Sequence, residues 1–332
     1  MLPAARDLGV PPFVGRERSA PEREAQRDGE RDAGAGDEWG PPVGRIERRA
    51  ALLALGGFAV ALSAAIAMFG LALTAERMLL VLLVPALALR RARAYLRDFA
   101  PFIALIILYA ECRGLAHTLR PIPYYLPQLD AEKLLFGGHV PADVLQNHLW
   151  HGTRRWYDTI LFDVTRVHSI VPYAFAFLLW LKRRALFYRF GATMLVVSFS
   201  AAVVFALFPA APPWAASQAG YDSVSVERIG HAPSSLPYLT IFHYVDSNPY
   251  AAIPSLHAGY SFLVFVFVAG LAWRMRRRWA VIGLAALYPL AQSFAAVYTG
   301  NHYVVDLLIG YAFAAGALMG VRAFWRSRGW PE

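Results

Sequence analysis

The 332-residue chain is 57% hydrophobic with a mean hydropathy of +0.39, and several apolar runs are long enough to cross about 30 Å of hydrocarbon at about 1.5 Å per residue. These values exclude an ordinary soluble domain and define an integral membrane protein. The formal charge of +9 does not indicate nucleic acid, because the arginines gather beside apolar runs as orientation signals do; the single cysteine, Cys112, excludes an intrachain disulfide.

Residues 1–45 are rich in Arg, Glu, Asp, Gly and Pro and too poor in apolar residues to form a core, which predicts a disordered tail. The tail lacks the apolar centre of a signal peptide, so the first membrane span is expected to direct insertion. That span reads Ala51 to about Leu73, behind Arg45, Arg48 and Arg49. A second run, Met78 to Leu89, closes on Arg90, Arg91 and Arg93 and completes an N-terminal hairpin over 46–98. The third run, Phe99 to about Cys112, ends at Arg113 and Arg120-Pro121. Residues 121–155, with several prolines and Gly137-Gly138, read as a loop carrying one or two short interfacial helices anchored by Trp150 and Trp156.

The fourth span, Tyr157 to Leu181, has Asp158, Asp163, Arg166 and His168 in its first half. Charges there normally face a bundle interior or a wet cavity, so Asp163, Arg166 and His168 are pocket candidates; a purely structural Asp163–Arg166 ion pair is the alternative reading. After Lys182-Arg183-Arg184 come a fifth span, Leu186 to Phe208, and a second long loop, Pro209 to Ile253. Its Pro212-Pro213-Trp214 turn is rigid, with Trp214 as an interfacial anchor or pocket wall, while His231, His243 and Asp246 read as loop surface. The sixth span, Pro254 to Trp273, ends among arginines; the seventh runs Trp279 to Tyr298 and the eighth His302 to Trp325. The expected architecture is all-α: a polytopic bundle of about eight transmembrane helices behind a disordered tail. Arginine tracts follow runs two, four, six and eight, which puts both termini in the cytoplasm and Arg113, Arg120, Trp214, His257 and His302 at the outer face of the cell membrane.

Two polar clusters open apolar runs there, Pro254-Ser255-Leu256-His257 and Asn301-His302-Tyr303-Val304-Val305-Asp306. On a helix His302 and Asp306 share a face, so the carboxylate can accept from one imidazole nitrogen and leave the other as an outward lone pair. This suits a nucleophile rather than a metal ligand, and His257 can supply a proton to a leaving oxygen. Helix starts favour anions, Pro254 fits a first turn and Ser255 adds a hydroxyl, so the electrophile reads as a phosphoryl group whose oxygens Arg113 and Arg120 would neutralise.

On these residues the chain resembles the type 2 phosphatidic acid phosphatase superfamily, whose second and third motifs look like Pro254-Ser255-Leu256-His257 and His302-x3-Asp306. Phe208-x3-Pro212-Pro213-Trp214, Ile253 to Gly259 and His302 to Leu307 are similar to its inositol phosphorylceramide synthase branch. The resemblance covers roughly residues 100–320 and makes 99–326 the expected catalytic domain. It implies a double displacement that needs no metal or cofactor, with His302 becoming a phosphohistidine. A membrane lipid would be the substrate and a polyol such as inositol the acceptor, with lipid phosphate hydrolysis, or lipid binding without catalysis, as alternatives. The chain departs from the pattern where the third motif has Ser-Arg, since Ala295 and Ala296 stand there. Arg113-x6-Arg120-Pro121 copies the first motif's spacing with arginine for lysine but lies farther upstream, and Arg166 with His168 is another source of positive charge.

Overall fold

The computed structural model describes residues 75–119, 122–221, 225–230 and 248–330, and among these all regular structure is helical. The tail, the first span, Arg120, His231, His243 and Asp246 lie outside the described residues. The helices are α1 (Ala75–Ala88), α2 (Ala92–Leu119), α3 (Leu126–Leu135), α4 (Pro141–Leu149), α5 (Trp156–Arg166), α6 (Val171–Lys182), α7 (Arg184–Leu207), α8 (Pro213–Gln218), α9 (Leu256–Ala272), α10 (Arg278–Tyr298) and α11 (Val304–Ser327). Among them α2, α7, α10 and α11 are each long and apolar enough to cross a membrane, and α5 with α6 adds a fifth span if the bent pair is taken as one. The protein is thus an all-helical, multi-pass membrane protein, and α3 and α4 are the short helices expected in the 121–155 loop.

The fourth span is not the continuous helix that its composition suggests. It bends by 44° between α5 and α6, through a short 3-10 turn at Val167–Ser169. Pro172 in the first turn of α6 has no N–H to give and its ring crowds the carbonyl four residues back, which breaks the ladder. Side chains occupy carbonyls just before the break: Thr165 Oγ1 donates to Phe162 O (2.7 Å), Ser169 Oγ to Arg166 O (3.2 Å), and His168 Nδ1 meets Thr165 O at 2.6 Å. The bend therefore carries His168 at its corner.

Helix α2 starts at Ala92, earlier than the hydropathy of the third run implies, and so takes in Asp98. That residue is 4% exposed, and its carboxylate accepts from Trp180 Nε1 (2.8 Å), Arg184 Nε (2.8 Å) and Tyr188 OH (3.0 Å). A buried charge so paired and hydrogen-bonded is tolerated where a lone one is not. Around it Tyr95, Phe99, Phe177, Trp180 and Phe187 stack or meet edge-on, tying α2 to α6 and α7. Arg113 is fifteen residues further along α2, about 22 Å away at the opposite end of the helix.

Helix α9 is the hub, packing against α10, α11, α7, α6 and the 3-10 turn. Its crossing with α11 is close because both helices are glycine there. A Cβ on Gly259 would meet Gly310 O at 3.4 Å, and one on Gly310 would fall 2.3 Å from Ser255 O. Small residues permit such approach where apolar burial gives helices no drive to associate in lipid. Above this crossing, the chain is stitched by isolated parallel bridges Tyr124–Ala210 and Ala210–Ala251, and Gln128 Nε2 donates to Ala211 O (3.0 Å). On the other side Gln146 clamps segment 225–230: its Nε2 donates to Glu227 O (2.9 Å) and Tyr298 O (2.7 Å), and its Oε1 accepts from Glu227 N (2.8 Å).

Candidate active site

His257 lies in the first turn of α9, and His302 in the connection between α10 and α11. The sequence reading put both Pro254 and His302 inside first helical turns; instead α9 begins at Leu256 and α11 at Val304. Ser255 is the N-cap of α9, its hydroxyl oxygen accepting from Ala258 N at 3.4 Å, and it is fully buried, so Pro254 stands outside the helix. Tyr303 is the N-cap of α11, with Asp306 reaching back to accept Tyr303 N at 2.8 Å. His302 and Asp306 consequently meet through capping geometry rather than along one helix face.

The backbone around His302 is held from both sides. Asn301 N and His302 N both donate to Ala296 O at the end of α10 (3.0 and 3.2 Å). Gly300 takes the left-handed conformation at φ 75°, and a Cβ there would lie 2.8 Å from Glu227 O, so the turn needs glycine twice over. On the far side Glu132 of α3, fully buried, accepts Val304 N on Oε1 (2.9 Å) and Val305 N on Oε2 (3.0 Å). Burial raises the Glu132 carboxyl above the usual carboxylate range, the two N–H groups pull it back, and nearby Asp306 adds to the rise. Ser255 N donates to Asp306 O (3.1 Å), which ties the start of α9 to α11.

The imidazoles then converge. His257 Nδ1 is 3.0 Å from His302 Nε2, and His302 Nδ1 is 3.4 Å from Asp306 Oδ2. The second contact is long for a hydrogen bond, and among the described residues His302 Nδ1 has no closer partner, so the pair can tighten when the ring gains positive charge. His302 is 5% exposed and Asp306 fully buried. His168, from the corner of the bent span, lies against His257 with ring centroids 3.9 Å apart and the rings tilted by 42°. Arg113 comes within electrostatic range of His168, His257 and Tyr260. Its backbone carbonyl accepts Asn248 Nδ2 (3.0 Å).

Asp163 has a side chain 60% exposed and pairs with Arg166 at 3.4 Å, the three-residue pairing expected along α5. Trp214 packs beside the cluster containing Tyr303 and Leu307, its backbone N–H donating to Gly300 O (3.3 Å), and Arg228 lies 4.9 Å over its ring. Ala295 and Ala296, where the superfamily pattern has Ser-Arg, are both fully buried, and Ala296 packs in the same cluster as Ala258 and Tyr303. Both positions are closed to a side chain as large as arginine. Among the described residues no group of three or more His, Cys, Asp or Glu is arranged to hold a metal ion.

A histidine at the start of α9 thus meets a second histidine just ahead of α11, the latter facing a buried aspartate, in a protein built of membrane-crossing helices. A family model described as the PAP2 superfamily matches residues 141–320, more than half of the chain, and the chain belongs to that superfamily. It is an enzyme of the phosphatase or phosphotransferase type. It is similar to a phosphoinositol dihydroceramide synthase of Bacteroides thetaiotaomicron, 30% identical over 171 residues, covering 46% of this chain and 54% of that protein. The match therefore spans about half the length of that relative. No solved structure matches the chain.

Proposed function

We propose that this protein is a phosphotransferase that moves a phospho-headgroup from a membrane lipid to a hydroxyl acceptor, in a reaction of the phosphoinositol type, through a phosphohistidine on His302. The observation that supports this most is the file of Asp306 Oδ2, His302 and His257 Nδ1, with steps of 3.4 and 3.0 Å. With Nδ1–H of His302 turned to Asp306, Nε2 carries the lone pair and at rest accepts from His257 Nδ1–H, tautomers assigned from the network. A phosphate anion entering beside His257 favours its protonated form. His302 Nε2 attacks phosphorus, the bond from phosphorus to the leaving oxygen breaks, and His257 gives that oxygen its proton. Asp306 stabilises the positive ring of phospho-His302, and Arg113 neutralises the phosphoryl oxygens. Neutral His257 then takes a proton from the acceptor hydroxyl, whose oxygen attacks phosphorus and breaks the phosphorus–nitrogen bond.

Both hydrolysis and transfer share the first half-reaction. Similarity to a phosphoinositol dihydroceramide synthase favours transfer. Purified protein given phosphatidylinositol labelled in the headgroup, with and without dihydroceramide or free polyols, is expected to move label onto the acceptor. Inositol phosphate or free phosphate as the sole product, whatever the acceptor, would establish hydrolysis instead.

The same reading has about eight spans, both termini cytoplasmic and the histidines at the outer face, on the support of the arginine tracts. Asn301→Cys in a Cys112→Ala background is expected to react with an impermeant thiol reagent in intact cells. Labelling only after lysis reverses the orientation.

A further inference from the structure

We infer that Glu132 is a positioning residue for the nucleophile: it holds the backbone that presents His302 and, by filling N–H groups that open α11, leaves the phosphoryl group only the His257 side of the site. The inference rests on the phosphohistidine reading above.

A helix N-terminus with open N–H groups is an anion site, and α11 begins two residues after His302. That site is already taken. Tyr303 N donates to Asp306, and Val304 N and Val305 N donate to the two oxygens of Glu132. The carboxylate comes from α3, 172 residues away in the chain, and is fully buried. Burying a carboxylate is costly, so its two N–H bonds at a positive helix end are what hold it there. The same face of α3 is committed to this spot: Leu129 packs in the cluster with Tyr303 and Leu307, and Gln128 holds Ala211 O.

Two consequences follow. First, Val304 and Val305 cannot shift without breaking bonds to Glu132, so His302 cannot drift from His257 Nδ1, 3.0 Å away. Second, a phosphate bound at the start of α11 would sit behind the nucleophile rather than in line with Nε2. Glu132 prevents this non-productive mode by occupying the donors and by its own negative charge.

The test compares Glu132→Gln, Glu132→Ala and Glu132→Asp as full-length protein in detergent. Glutamine keeps the shape but turns an NH2 group toward one backbone N–H; kcat is expected to fall about 100-fold with KM within about threefold, since the loss is in alignment and not in substrate contacts. Alanine opens the N–H groups, and inorganic phosphate, titrated by its stabilisation against heat, is expected to bind about tenfold tighter than to the wild type. Aspartate, a carboxylate on a shorter arm, is expected to recover part of the kcat lost in Glu132→Ala. A residue that merely supports folding would lower the melting temperature and leave the kcat of the folded fraction and the phosphate affinity unmoved. A kcat within threefold of wild type in Glu132→Gln, or unchanged phosphate affinity in Glu132→Ala, overturns the inference. The phosphate titration needs no turnover, so a wild-type protein inactive on every lipid would sink the phosphotransfer reading while Glu132 is still decided.

Discussion

On the proposed mechanism, replacing His302 with alanine is expected to lower turnover on the order of 10⁵-fold or more and to leave no acid-labile phosphoryl adduct, because the attacking nitrogen is lost. Its neighbours should lose less, each by its own mechanism. His257→Ala removes the proton donor but leaves the attacking nitrogen, so the adduct should form about 10² to 10⁴ times more slowly. Asp306→Asn is the most informative. Its amide oxygen can take the place of Asp306 Oδ2, which both accepts Tyr303 N at 2.8 Å and faces His302 Nδ1 at 3.4 Å, so the ring keeps its tautomer and loses only the negative charge behind it. Without that charge the positive ring of the phosphohistidine is less stabilised, and a loss of about 10² to 10³ in kcat is expected. Rapid-quench measurement of the adduct together with kcat separates the three variants. Unchanged activity in His302→Ala ends the mechanism.

The pairing of His257 with His302 was legible because each motif is local: a polar cluster before an apolar run marks a helix start, and the arginine tracts put both starts on one side. Boundaries were less legible. Pro254 and His302 read as helical because composition shows where apolar sequence begins, whereas the helix start is fixed by which side chain caps which N–H, Ser255 for Ala258 and Asp306 for Tyr303. The bend before Pro172 was hidden for a related reason. Hydropathy over Tyr157–Leu181 averages across the break, and a proline in an apolar run is compatible with either a straight or a bent span. Glu132 and Asp98 left no signal in the sequence at all. Glu132 sits in a short helix of a polar loop, and Asp98 just outside the apolar run as read. Their partners, Val304 and Val305 for one and Trp180 and Arg184 for the other, are far along the chain and reached only by tertiary packing.

Gly310→Ala is expected to cost about 10² in kcat although Gly310 touches no reacting atom. A Cβ at this position would lie 2.3 Å from Ser255 O, 3.1 Å from Ser255 C and 3.2 Å from Ser255 N. These are backbone atoms, with no flexible side chain to swing aside, so α9 and α11 must separate at their crossing. Ser255 caps the helix that carries His257, and its N–H is bonded to Asp306 O at 3.1 Å, four residues before Gly310. Relieving the clash by about 1 Å thus moves His257 against the His302–Asp306 pair, and a misplacement of that size is enough for about a 10²-fold loss. Overpacking of a tight contact adds about 1 to 3 kcal/mol of destabilisation, visible as a lower melting temperature. The control is on the same helix. A Cβ on Gly316 meets nothing within 4 Å, so Gly316→Ala should keep wild-type activity and melt no lower, because alanine is the better helix former. If Gly310→Ala retained activity within threefold of wild type, or Gly316→Ala lost as much, the α9–α11 crossing would not be what sets the distance between the two histidines.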